Sequence, residues 1–230
     1  MWPRAADPLA LDVGLRAVTC AGALELTLDV AAGERVALSG RDGATAMALL
    51  RAVAGLNPVG GGQITVGGRG SRTPAERAWR ARACAWLPRR PVPARSRARA
   101  ADVLARSAHP AAAAFAADRL GVAELRDRPL HGLTPAEIQR LHWARVIGCV
   151  AAGAGVLLAD EPAEGLEPHD REALVLLLAE LPVTLLMATA DPVLTALCDR
   201  RVGTTSDRPG APRSPATTGF GSKSPASLQN

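Results

Sequence analysis

The sequence has no tyrosine, and aromatic residues make up only 3% of its 230 positions. A core with so few rings must be packed from alanine, leucine and valine, and the 48% apolar content allows that. Lysine is nearly missing too: Lys223 is the single one, and all other fixed cations are arginines. Chemistry that needs a lysine anywhere before position 223 is therefore excluded. The cysteines, Cys20, Cys84, Cys149 and Cys198, are too far apart for a thiolate metal site or a redox pair. Such use suits a reducing compartment. The longest oily stretch, residues 173–190, is broken by Glu180 and Pro182, so a helix followed by a buried strand is expected there rather than a membrane span. The first residues lack an apolar leader segment, and no signal peptide is expected. The net charge of +5 is modest.

What the chain does have is centred on Val156-Leu157-Leu158-Ala159-Asp160-Glu161-Pro162. Four apolar residues read as a buried strand, with two adjacent carboxylates at its carboxyl end. Ligands of open parallel sheets gather beyond those ends. Two acids after a dry strand cost desolvation energy unless a cation or polar ligand meets them.

Upstream, residues 9–30 alternate loosely and read as edge strands with a turn near Ala21-Gly22. A second turn at Ala32-Gly33-Glu34 precedes a short strand, Arg35 to Ser39. Gly40-Arg41-Asp42-Gly43-Ala44-Thr45-Ala46-Met47 follows, and from Ala44 to Leu56 the period becomes helical. Residues 63–66 read as another strand. Strand, glycine-containing turn and helix form the phosphate-loop architecture. In a working loop, backbone N–H groups and the helix N-terminus surround the phosphates, a lysine neutralises them and a Ser or Thr holds magnesium. Here Gly40 is present, but Thr45 replaces the second glycine, Ala46 the lysine and Met47 the hydroxyl. Taken alone the segment is an ordinary strand-to-helix turn.

Residues 69–106 hold eleven arginines against two acids, with Trp79 and Trp86 among them. A solvated helical face is the expected reading. Nucleic acid and anionic headgroups are the alternatives. Alanine-rich helices are expected over residues 101–128. Thr134, Pro135 and Glu137 then form a capping box opening a helix that runs through Gln139, Arg140, Trp143 and Arg145. A helix over about 170–181 and a strand over 183–188 complete the pattern. Residues 203–230 are Ser, Pro, Gly and Thr with hardly any large apolar side chains, and a disordered tail is expected.

In this order and spacing, over about residues 9–202, the pieces resemble the nucleotide-binding domain of ABC transporters. Gly40 to Met47 falls at the family's Walker A loop, Trp86-Leu87-Pro88-Arg89 at its Q-loop, and Leu133 to Glu137 at its signature. Val156 to Pro162 is similar to Walker B with the catalytic glutamate, and Glu164-Gly165-Leu166-Glu167-Pro168 to the D-loop. Thr189-Ala190-Asp191 falls at the switch histidine. The resemblance implies an α/β, P-loop NTPase-like cassette over residues 1–202. Its mixed core sheet would be joined by a helical subdomain, about residues 90–150, and an antiparallel edge sheet. It also implies ATP and magnesium as ligands. Residues 40–47 (Gly40, Arg41, Asp42, Gly43, Ala44, Thr45, Ala46, Met47) would face the phosphates. Asp160 would reach the metal, and Glu161 would polarise the attacking water. The implied partners are a membrane permease and a second ABC ATPase subunit, identical or different. The implied location is cytoplasmic, peripheral to the inner face of the plasma membrane. Nucleic acid is not the expected partner.

The departures from the family are as informative. Ala46 stands for lysine, Met47 for the magnesium hydroxyl, Arg89 for the Q-loop glutamine and Ala190 for the switch histidine. The signature reads Leu-Thr-Pro-Ala-Glu, so Pro135 lacks an N–H and Ala136 adds a methyl where glycines normally stand. The expectation is a degenerate cassette with weak or absent hydrolysis, and with ATP and magnesium weakly held or lost. The alternative is a pseudo-ATPase scaffold that binds partners and not nucleotide.

Overall fold

A computed structural model describes residues 10–20, 24–39, 43–70, 73–89 and 97–204. Two sheets carry the architecture. In the first, β1 (Val13–Cys20) pairs antiparallel on one side with β2 (Leu24–Val30) and on the other with β4 (Gly61–Val66). The register slips between Leu15 and Val18, where Ala17 adopts φ +48°. Such a bulge raises the local twist of an edge sheet.

The second sheet has five strands in the order β5 (Cys84–Leu87), β6 (Val156–Asp160), β7 (Thr184–Ala188), β3 (Arg35–Ser39), β8 (Arg200–Gly203), and every pairing is parallel. The mixed core sheet expected from sequence thus resolves into a parallel five-stranded sheet and a separate antiparallel one. All five residues of β6 and of β7 are buried, as continuous apolar runs in a doubly covered parallel sheet should be.

Both faces of β6 carry a core, and the two-residue period of the strand sorts its side chains between them. Val156 and Leu158 enter one cluster with Leu49, Leu50 and Val53 of α1 (Gly43–Val53) and Leu15 and Ile64 of the antiparallel sheet. So α1 is clamped between the sheets. Leu157 and Ala159 enter the other cluster, with Trp143, Leu141 and Ile147 of α5 (Pro135–Ala151) and Leu174 and Leu178 of α6 (Pro168–Glu180). The helices α3 (Ala100–Ala105) and α4 (Pro110–Arg119) pack on α5 through alanines. There Gly148 lies so close to Ser107, Ala113 and the His109 carbonyl that no Cβ fits.

The helical face expected within residues 69–106 includes α2 (Pro74–Ala83), whose Thr73, Pro74 and Glu76 repeat the capping box of Thr134, but it is not wholly solvated, because Arg80 is buried. The short α7 (Pro192–Ala196) and the edge strand β8 were not anticipated. The ordered chain runs slightly past the expected boundary at 202: Gly203 belongs to β8, and the Thr204 N–H donates to the Ser39 carbonyl at 2.7 Å. Most of the expected tail, residues 205–230, lies outside the described residues.

Candidate functional site

Asp160 ends β6 opposite Ala188 of β7 and is only 3% exposed. Burial pushes its carboxyl up to about 6; Arg89 opposes the rise and Glu161 adds to it. Glu161 follows with φ +43°, a left-handed conformation that a non-glycine residue adopts at a cost of about 1–3 kcal/mol. Its N–H still donates to Ala188 at 2.8 Å, so the turn leaves the sheet with its backbone satisfied. The strain aims the Glu161 side chain at Thr189, whose hydroxyl donates to Oε2 at 3.3 Å. The same hydroxyl accepts from the Asp191 N–H at 3.1 Å. Asp191 in turn caps α7 through the Val193 and Leu194 N–H groups.

The segment after Glu161 is held from the side by α5. The Pro162 carbonyl accepts from Gln139 Nε2 at 3.0 Å and from Trp143 Nε1 at 3.3 Å, both on buried side chains. Gly165 lies against Pro135, where a Cβ would sit 3.4 Å from the proline ring. The start of the signature-like helix is thereby locked to the turn that follows the two acids.

Of the expected phosphate-loop residues, Gly40, Arg41 and Asp42 lie outside the described residues. Gly43, Ala44, Thr45, Ala46 and Met47 form the first turn and a half of α1. Ala46 is buried with the core, and Met47 is 37% exposed. Arg89, just after β5, comes to this helix start: its Nη1 lies 3.9 Å from where a Cβ on Gly43 would be. Its Nε donates to Glu164 Oε2 at 2.8 Å, and this hydrogen bond holds the guanidinium pKa above its usual value. Glu161 and Asp160 contribute to that rise through charge, so one arginine answers all three acids.

The fold therefore brings together Asp160, Glu161, Arg89 and the beginning of α1, as the motif order implied. Two participants had no signal as such in the sequence. Thr189 was noted only as a neighbour of the missing histidine, yet its hydroxyl orients Glu161. Glu164 was noted only within the D-loop, yet it is the ion-pair partner of Arg89.

The sequence of ABC transporter proteins, captured as a family profile, matches residues 24–164, more than half of the chain. The chain belongs to the ABC transporter family. It is 32% identical over 184 residues to the zinc import ATP-binding protein ZnuC of Cereibacter sphaeroides, covering 76% of this chain and 70% of that protein. An ATP-binding protein assigned to an ABC transporter in Streptomyces avermitilis is 38% identical over 86 residues, 37% of this chain. The chain matches about a third of the length of this relative and of a Streptomyces coelicolor one, 32% and 30% respectively. Among solved structures, an ATP-binding cassette in a dimeric post-hydrolysis state with ADP and Pi superposes with a TM-score of 0.70 at 16% identity. That match covers 84% of this chain and 94% of the cassette, and establishes the fold. No helix among the described residues is long and apolar enough to cross a membrane.

The family's ligand, magnesium with a nucleoside triphosphate, can be tested against the side chains present. Magnesium takes hard oxygen ligands. Position 47 offers a thioether, and the Asp160 carboxylate is disfavoured by its own burial. Triphosphate needs fixed positive charge. Position 46 offers a methyl, and Arg89 is already neutralised by Glu164. Among the described residues, positions 46 and 47 thus lack the cation and the hydroxyl that a working phosphate loop offers.

Proposed function

We propose that this chain is the cassette subunit of an ABC transporter, docked beneath a membrane permease, with little or no ATP hydrolysis of its own. Its residues 1–202 would be the cassette, and α3 to α5, within residues 90–150, its helical subdomain. A second cassette, identical or better equipped, would complete the pair. The location would be cytoplasmic, on the inner face of the plasma membrane through the permease. The cassette part of this reading rests on the family match over residues 24–164, and its degenerate part on the Arg89–Glu164 ion pair beside the start of α1. The pair supplies an internal cation to the retained acids where the family's fold places phosphate and metal. Asp160 and Glu161 stand at the carboxyl end of β6, where the resemblance puts the metal-reaching and water-polarising acids. Gly40 to Met47, with Asp160, would still line the nucleotide face and hold ATP and magnesium weakly. Glu161 would be a catalytic residue without the partners it requires. Phosphoryl transfer rests on positioning and charge stabilisation, and losing one preorganised donor typically costs on the order of 3 kcal/mol. The lysine, hydroxyl, glutamine and histidine are replaced together, so the remaining glutamate has little left to act with.

The internal ion pair also favours a second reading, a scaffold that binds partners and no nucleotide. An ATP titration with magnesium, followed by thermal unfolding, separates the two: a saturable stabilisation supports the cassette reading, and its absence the scaffold. ATP turnover by the purified protein at the rates of ordinary transporters would refute the degenerate part. Recovery of the protein from cells without any membrane protein attached would refute the permease part.

A further inference from the structure

A second polar site lies at the other end of α1, which has eleven residues, so its two ends are about 15 Å apart. Arg80 of α2 is 3% exposed, yet its Nε and Nη1 have no hydrogen-bond partner among the described residues. No salt bridge reaches it among the described residues. Glu76, one turn earlier, is committed elsewhere, since its Oε2 accepts from the Thr73 N–H at 2.8 Å in the capping box. Nearby Cys84 is no counterion, because burial pushes its thiol up to about 12 and keeps it neutral. A guanidinium cannot shed its proton at physiological pH, so burying one without an anion is costly.

The geometry around Arg80 is that of a pocket. Gly55 has φ +76°, a backbone that favours glycine, and a Cβ there would lie in ordinary contact, 3.5 Å, with Arg80 Nε. Arg80 and Gly55 line a cavity of about 410 Å³ together with Arg77 and the apolar side chains of Leu56, Pro58 and Val59. Burial lowers the Arg80 pKa most; Arg77 adds to the fall, and Cys84 and Glu76 oppose it. The cavity therefore sets a guanidinium with unpaired Nε and Nη1 and a second cation beside Asn57 and an apolar wall.

We infer that this cavity is a carboxylate site. It takes a carboxyl group on a short aliphatic stem, with the oxygens on the Arg80 fork and the stem against Leu56, Pro58 and Val59. A guanidinium matches a carboxylate in a planar, two-point contact. A fully hydrated inorganic anion would gain nothing from the apolar wall. The carboxylate belongs to a free organic acid or to a glutamyl side chain of a partner. The site is independent of any nucleotide, since it lies at the far end of α1 from Asp160 and Glu161.

Thermal unfolding of the full chain tests this with two probes at up to tens of millimolar: glutarate and a blocked glutamyl tripeptide. A ligand that binds only the native state raises the midpoint in a saturable way. At least one probe should do so, while chloride at matched ionic strength should not. A shift with glutarate identifies the free acid as sufficient, and a shift with the peptide alone identifies the partner side chain. Arg80→Met should abolish the shift and, without ligand, unfold no lower than the wild type, because it removes an unpaired buried charge without emptying the space. Arg80→Lys should retain a weaker shift, with a point charge in place of the fork. The inference is overturned if neither probe shifts the midpoint, if the shift survives in Arg80→Met, or if Arg80→Met alone lowers the midpoint by several degrees.

Discussion

His142 gives the sharpest quantitative expectation. It sits on α5, is 8% exposed, and neither ring nitrogen has a hydrogen-bond partner among the described residues. Burial lowers its pKa from 6.5 to about 3, and the positive charges of Arg145 and Arg106 lower it further. The native ring is thus neutral, while the unfolded chain takes up a proton as pH falls through the unperturbed value. Stability linked to this ring is complete above about pH 6.5 and is lost as pH falls toward 3. With one pKa unit worth about 1.4 kcal/mol, the loss between pH 7 and pH 4.5 comes to roughly 2.5 kcal/mol. Asp160 works in the opposite sense, because its raised carboxyl keeps its proton on folding in part of the same range. The wild-type curve alone therefore mixes the two, and the comparison with His142→Leu removes Asp160 from the difference. Urea unfolding of both proteins at several pH values between 4.5 and 7.5 measures it. At pH 7 His142→Leu should be as stable as the wild type or more so, since two unsatisfied nitrogens disappear. Its advantage should widen by roughly 2.5 kcal/mol at pH 4.5. Parallel stability curves for the two proteins would refute the neutral, desolvated ring.

Other outcomes follow from the packing. Gly148→Ala should destabilise by about 1–3 kcal/mol in chemical denaturation, because its methyl meets Ser107, Ala113 and the His109 carbonyl at the α4–α5 contact. Thr134→Ala should cost about 1 kcal/mol by removing the cap on the Glu137 N–H, measured the same way. Thr189→Val should release Glu161 from the Thr189 hydroxyl with little change in fold, and a carboxylate chemical shift read by isotope-edited NMR should move. Iodoacetamide at pH 8 should leave Cys84 unmodified in the native protein, since its thiol is buried and pushed up to about 12, while half-exposed Cys149 reacts; peptide mapping reads the result.

Much of the fold was legible along the chain because its signals are local. The dry strand at 156–160 reads from its continuous apolar run, and the start of α5 reads from Thr134, Pro135 and Glu137, whose capping bonds form within four residues. The helix α2 carries the same capping chemistry. A solvated helical face was expected there, and the burial of one of its arginines, Arg80, has no local signal because it depends on what packs over the helix. The edge strand β8 has only four residues, and its burial pattern gives no period to read.

The sequence by itself determined the parts list: two carboxylates after a buried strand, no lysine for a phosphate loop, no hydroxyl at position 47, and an arginine where a glutamine is expected. Those are statements about chemical identity, and identity needs no coordinates. Only the tertiary structure decided what each part touches. Arg89 meets Glu164 from 75 residues away, Thr189 meets Glu161 from 28, and Pro162 is held by two side chains of α5. Arg80 is left in a cavity with no anion. Contacts of that kind depend on which strand lies beside which and on what each helix covers. Parallel crossovers set that order by bringing distant segments together, and no local pattern records it.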